Sequence, residues 1–430
     1  MAPSAIVAAA LAFLAGWKAV RVVLAFRGNT SPAARQRALA YFTPGEIESG
    51  KRNSRPYYIP GLLAYVIELG VLWALVYLGI ARRLEDLAQA APWLPLQAGL
   101  FLGLLLLAEG VPRAPLSIYS GFLLRKRLGV LRQSFGQWAM FTLKGVAVNF
   151  VLLWVAVTVF IGLVRAFPGS WWLPASAILT LLAIGLTFIQ PVLLSPLFYR
   201  FTRLEGPMRD RLLGICRAAG VRARDVFVQH ESTVTTHSNA YFAGIGGSKR
   251  IVVYDNLLGR NTSDEVATVV AHEAGHWAHH HILLSTVLAA ASILAGSLLL
   301  FGLFSLHGAE GFFGTSPGRL SVLPVLALLG LGAEALTEPF AAMLSRRLER
   351  QADRAALGLT ADPEAFISVQ VKLVRDNKAD VLPHPLLVRL YASHPEPLER
   401  IRMAHEFEKE KAPGQPEGTE GATRVHREVR

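Results

Sequence analysis

The sequence predicts an all-α polytopic membrane protein of about seven transmembrane helices, carrying a small α+β portion at one face. Hydrophobic residues fill 52% of the 430 positions and charged residues only 17%, with a mean hydropathy of +0.38. Apolar runs lie near 4–26, 60–80, 93–111, 140–164, 171–197, 282–306 and 320–343, each near or beyond the roughly 20 residues that cross a bilayer as helix. Two long polar stretches, 199–281 and 344–406, interrupt or follow these runs. A soluble helical core of this length would not place its apolar residues in separate bilayer-length runs.

The first run has no Lys or Arg before it, whereas Lys18, Arg21 and Arg27 lie within or just after it. That polarity fits an uncleaved first helix with its amino terminus outside. The odd-numbered connections are basic, with Arg27, Arg35, Arg37, Lys51, Arg52 and Arg55 in the first and Arg113, Arg125, Lys126, Arg127 and Arg132 in the third. The even ones are poor in such residues, so positive-inside bias places odd connections and the carboxyl terminus in the cytoplasm. Loops beside anionic lipid account for the net charge of +12 without a nucleic-acid partner. Cys216 is the sole cysteine, which rules out an intrachain disulfide. Arg outnumbers Lys, and Ala and Leu are abundant; this points to a GC-rich bacterial genome and hence a bacterial inner membrane.

The expected organisation is therefore spans one to five with cytoplasmic loops over 1–198, a cytoplasmic segment over 199–281, spans six and seven over 282–343, and a second segment over 344–406. Residues 407–430 are rich in Gly, Glu, Pro and basic residues and are expected to be a disordered tail. Within 199–281, "DVFVQ", "NAYFAG" and "RIVVYD" have strand-like content, and "GIGGSK" supplies turn glycines for a hairpin over 239–255. "TSDE" at 262–265 matches a capping box that opens a helix.

That helix carries "HEAGH", residues 272–276. His272 and His276 are four apart and share a helix face, so both imidazoles can reach one Zn2+ ion, with Glu273 placed as general base. His279 lies about 10.5 Å along the axis from His272, too far for a shared ion with 2 Å bonds. The residue at the metzincin third-histidine position is Ile282. His279, His280 and His281 are read as interfacial polar residues where the helix enters the membrane. The third ligand is sought where span seven returns to the same side, in "SRRLERQADRAAL" at 345–357. Glu349 and Asp353 share a face there, giving one acid for the metal and one to orient a ligand imidazole. Glu334 and Glu338 lie about 16 Å or more deeper, where they pair with Lys144 or another cation, or line a polar cavity.

The stretches "HSNAYFAG", "KRIVVYDNLL", "EVATVVAHEAGHW", "SRRLERQADRAA", "VKLVRDNKADVLPHPL" and "YASHPEPLERI" together resemble the type I CAAX prenyl proteases, integral-membrane zinc endopeptidases. The resemblance implies seven helices enclosing a chamber, with the zinc-metalloprotease portion at the cytoplasmic face. It also implies one zinc per chain held by His272, His276 and Glu349, and catalytic roles for Glu273, Asp353 and His394. An extended substrate would dock along the edge strand at Asn239 and Ala240. The implied partners are the bilayer and a peptide or protein substrate, prenylated or membrane-embedded. Three departures bear on substrate preference: Arg125, Lys126 and Arg127 where an acidic pair is common, 231–236 without the usual basic residues, and Glu396 in place of a second proline. A quality-control metalloprotease acting on unprenylated membrane proteins is the nearest alternative. A transporter predicts repeats that the sequence lacks, and an inactive scaffold would be expected to lack Glu273 or a ligand.

Overall fold

The apolar runs fold as helices, because a bilayer leaves backbone groups no other partner. A computed structural model describes residues 3–244 and 249–411. The membrane half begins with α1 (Pro3–Arg27), α2 (Tyr58–Tyr77), α3 (Leu94–Ile118), α4 (Phe135–Ala166) and α5 (Trp172–Ile189). Next come β1 (Phe201–Arg203), α6 (Pro207–Ala218), β2 (Asp225–Gln229), β3 (Ala240–Ala243), β4 (Arg250–Tyr254) and α7 (Ser263–Ala278). The chain re-enters the apolar region as α8 (His281–Ser305) and α9 (Leu323–Thr360), then closes with α10 (Pro363–Asp376), α11 (Pro385–Tyr391) and α12 (Pro397–Lys411). Among the described residues, seven helices are long and apolar enough to cross a membrane.

Intramembrane acids find cations, as the low dielectric requires. Glu68 pairs with Arg113 at 3.1 Å. Glu334 and Glu338 meet Lys18, at 3.1 and 3.4 Å, and Glu338 also meets Arg21 at 3.4 Å. Of the cations expected, Lys144 or another, the partners are Lys18 and Arg21.

The sheet runs β1-β2-β4-β3, with β2 parallel to β4 and β3 antiparallel to it. This leaves β3 on an edge. The pairing of Ala240 with Val253 through Ala243 with Arg250 brings the two expected strands together; residues 245–248 of the turn lie outside the described residues. Val226, Ile251 and Val253 pack with Leu212 and Cys216 of α6 and with Val266 and Val270 of α7. Burial pushes the Cys216 thiol up to about 12, so it stays protonated.

A second core joins Ala271, Ala356, Phe366 and Ile401 to Phe42 and Ile47 of the first loop. That loop is thus tied into the carboxyl-terminal segment. Residues 407–411, expected to belong to a disordered tail, are helical instead: α12 continues through Lys411, because Phe407 packs on this core and Arg402 pairs with Glu406 one turn on. Residues 412–430 lie outside the described residues.

Candidate active site

The site is built by anchoring α7 at its start and pressing its middle against α9. Thr262 and Glu265 form the expected capping box. Glu265 also receives hydrogen bonds from Ser368 Oγ at 2.5 Å and Lys372 Nζ at 2.7 Å, which fixes α7 to α10. Further along, Gly275 lets the helices meet. A Cβ there would stand 2.9 Å from Ala355 Cβ and 3.1 Å from Ala352 Cα, closer than real packing permits. Ala271, Ala274, Ala352 and Ala356 are fully buried around it. The small-residue seam brings the histidine face of α7 against the acidic face of α9.

His272 Nε2 and His276 Nε2 lie 3.2 Å apart, and each is 3.4 Å from a carboxylate oxygen of Glu349. The other ring nitrogen of His272 donates to Asp353 Oδ1 at 2.8 Å. Asp353 is fully buried and is held in turn by Arg400, whose Nε donates to Oδ2 at 2.9 Å. Burial disfavours the charged form of His272, but the hydrogen bond to Asp353 and the nearby Glu349 carboxylate outweigh it and hold the imidazole up at about 9. Burial pushes the Glu273 carboxyl above its ordinary value.

His394 reaches the same acid from the loop after α11, with Nδ1 2.8 Å from Glu349 Oε2. Arg346 shapes that loop by donating to the carbonyls of Val388, Arg389 and Ala392, at the end of α11 where carbonyls lack a full set of helical partners. Ser345 Oγ adds a bond to Ser393 O at 2.8 Å. On the other side, Tyr241 and Phe242 of the edge strand line a cavity of about 570 Å³ together with Glu273, His276 and Glu349. Asn239 immediately precedes that strand, its carbonyl accepting from Tyr254 N at 2.9 Å, and Ala240 is buried within it.

The structure thus brings His272, His276, Glu349, Asp353, Glu273 and His394 together, and puts Asn239 just before, and Ala240 at the start of, the strand whose Tyr241 and Phe242 line the same cavity. Sequence reasoning missed Arg400, Arg346 and His281. Arg400 and Arg346 carry no signal of their own among many arginines. His281 is 4% exposed, with Nδ1 2.9 Å from His276 Nδ1.

The donor set fits a metal ion. His272, His276 and Glu349 each offer a ligand atom, all within 4.8 Å of one another. Glu349 Oε2 is buried and accepts no hydrogen bond despite the approach of His394. Acids that raise the proton affinity of His272 draw another cation to the same point just as well. Two nitrogens and an oxygen suit an ion of zinc type with one position left open.

Fold and site together define a membrane-embedded metalloendopeptidase. Comparison with known proteins places it further. The model of peptidase family M48 matches residues 203–408, and that of the CAAX prenyl protease N-terminal region, with five membrane helices, matches 39–200. The chain is 31% identical over 305 residues to the CAAX prenyl protease 1 homolog of Arabidopsis thaliana, covering 67% of this chain and 68% of that one. It is 27% identical over 376 residues to the uncharacterized metalloprotease YhfN of Bacillus subtilis, covering 86% and 88%. The crystal structure of S. mikatae Ste24p superposes with a TM-score of 0.79 at 22% identity, covering 92% of this chain and 98% of that one. The chain belongs to the type I CAAX prenyl protease family, and its fold is the expected one: a polytopic helical membrane protein whose spans enclose a chamber, with a small sheet beside the site.

Proposed function

We propose that this protein is a zinc-dependent, CAAX-prenyl-protease-like endopeptidase that cleaves peptide bonds at the cytoplasmic face of the membrane. One Zn2+ would be held by Nε2 of His272, Nε2 of His276 and the carboxylate of Glu349. The observation that carries this reading is the convergence of those donors, two of which, His276 and Glu349, line the same cavity as Tyr241 and Phe242. When bound, zinc supplies Lewis acidity, polarising a peptide carbonyl and making a water acidic near neutral pH.

The chain's own residues do the rest. Glu273 takes the proton of the attacking water, and the burial that raises its proton affinity suits a general base. His394, on its exposed loop, donates to the oxyanion as the carbonyl becomes tetrahedral. Asp353 does not touch substrate; held by Arg400, it keeps the His272 proton on Nδ1 and the lone pair of Nε2 facing the ligand position. Asn239 and Ala240 open the edge strand, whose free side offers main-chain groups to an extended peptide.

Basic odd-numbered connections support an orientation with the amino terminus outside and both the site and the carboxyl terminus in the cytoplasm, in a bacterial inner membrane. The CAAX substrate class rests on the names of the relatives. The test is cleavage, by the detergent-solubilised protein, of a farnesylated C-a-a-X peptide and an unprenylated membrane-protein fragment. Each is run with chelator and with Glu273→Gln. The farnesylated peptide should be cut, and both treatments should abolish cutting. Activity surviving both would refute the zinc mechanism; cleavage of the unprenylated fragment alone would refute the substrate class.

A further inference from the structure

We propose that His281 is a positioning residue for the metal site: it accepts the Nδ1 proton of His276 and thereby fixes which nitrogen of that ligand faces the ion. This rests on the reading that His276 binds metal. Of the two ligand imidazoles, only His272 has a carboxylate behind it. Behind His276 stands a neutral relay, with His276 Nδ1 2.9 Å from His281 Nδ1 and His281 Nε2 2.9 Å from Gln351 Oε1.

Proton bookkeeping allows one order. The amide oxygen of Gln351 only accepts, so His281 carries its proton on Nε2. Its Nδ1 is then a lone pair, and His276 Nδ1 must be the donor. That leaves His276 Nε2 unprotonated where it faces Glu349 and His272. The opposite orientation of the amide would reverse both bonds and put a proton on His276 Nε2, where a ligand needs a lone pair.

The backbone is bent to make this contact. In an unbroken helix, residue 281 would lie about 140° around the axis from residue 276. Instead α7 stops at Ala278, and His280 takes a left-handed φ of 55°. The chain turns back, and the three adjacent histidines divide: His279 and His280 are exposed while His281 is buried. Gln351 lies two positions beyond Glu349 on α9, so one helix supplies both a ligand and the end of the relay. A neutral relay sets the tautomer without adding negative charge, whereas Asp353 does both for His272.

The experiment measures metal binding to the full-length protein in detergent, stripped of metal and titrated with Zn2+ against a chelator, and with Co2+ for its absorption bands. His281→Leu should weaken Zn2+ binding by about 10–100-fold and shift the Co2+ bands. His281→Asn, whose Oδ1 stands where Nδ1 stood, should recover most of the affinity. Gln351→Leu should weaken binding to an intermediate degree. The metal-free melting temperature of each variant separates folding from binding. Wild-type affinity and bands in His281→Leu would overturn the proposal, and so would equal losses in the Leu and Asn variants. Should His281→Leu fail to fold, wild-type affinity in Gln351→Leu overturns it instead. His276→Ala serves as the control: retained metal there would refute the ligand reading itself, independently of His281.

Discussion

Asp353 shows what a single residue at this site has to do. Its carboxylate is fully buried, and its two oxygens serve His272 Nδ1 and Arg400. Removing it strands Arg400 as an uncompensated cation with only 14% of its side chain exposed, which typically costs about 3–5 kcal/mol. It also frees the His272 tautomer, which costs about 10–100-fold in metal affinity. Asp353→Ala should therefore show both losses, in chemical denaturation and in zinc retention during dialysis. Asp353→Asn keeps an acceptor for His272 Nδ1 and should lose less affinity. Full zinc retention in the Ala variant would remove Asp353 from the account. The ligands separate on the same assay: Glu349→Ala should lose the metal, whereas His279→Ala, an exposed neighbour outside the donor cluster, should keep it.

At the scale of elements, the site depends on the distance between α7 and α9. Gly275→Ala would put a methyl 2.9 Å from Ala355 Cβ, and with backbone also in the way the helices must separate. Overpacking of this kind costs about 1–3 kcal/mol, and here it also pulls His272 and His276 away from Glu349. Lower thermal stability with weakened zinc binding is expected; an unchanged melting temperature would contradict the close approach. The anchor of α7 gives a pH dependence. Burial alone would raise the Glu265 carboxyl, but the bonds from Lys372, Ser368 and Thr262 hold it below its ordinary value of 4.5. A depressed acid stabilises the fold above its unfolded value and loses that contribution as pH falls through the folded one. Stability should fall below about pH 4.5, and Glu265→Gln should be less stable at neutral pH with a flatter acid limb. Part of the site is legible in the sequence. Positions 272 and 276, and 349 and 353, share faces because helix periodicity is regular, so the donor set follows from spacing. His281 breaks that periodicity through the left-handed turn at His280, and no pattern in the residues announces the turn. Arg400 meets Asp353 across 47 positions, and Phe42 joins the far core through the first loop. Such contacts depend on how helices are ordered in space, which spacing along the chain does not encode.

Across the whole molecule, the first span is linked to the site through charge. Lys18 and Arg21 on α1 meet Glu338 on α9, and Trp17 donates to the same carboxylate at 3.4 Å. The carbonyl of Trp17 accepts from Tyr391 OH at 3.1 Å. Tyr391 is the last residue of α11, three positions before His394, and Arg21 lies over its ring. α1 thus touches both α9, at Glu338, and the last residue of α11, which leads into the loop that carries His394. Glu338→Leu removes the anchor and leaves Arg21 without a carboxylate, while Lys18 keeps Glu334. Interhelical polar contacts in membranes are worth about 0.6 kcal/mol on average and up to about 1.7, so the direct loss is modest, with the unpaired Arg21 adding to it. The expected outcome is a slightly lower melting temperature, zinc content unchanged, and a reduced kcat as His394 loses its fixed approach to Glu349. Combining Glu338→Leu with Arg21→Met should destabilise less than the sum of the single changes, because the stranded cation is gone. Additive effects would mean that Arg21 and Glu338 do not act as a pair, and an unchanged kcat in Glu338→Leu, or loss of its zinc, would mean that α1 is not coupled to His394 through this network.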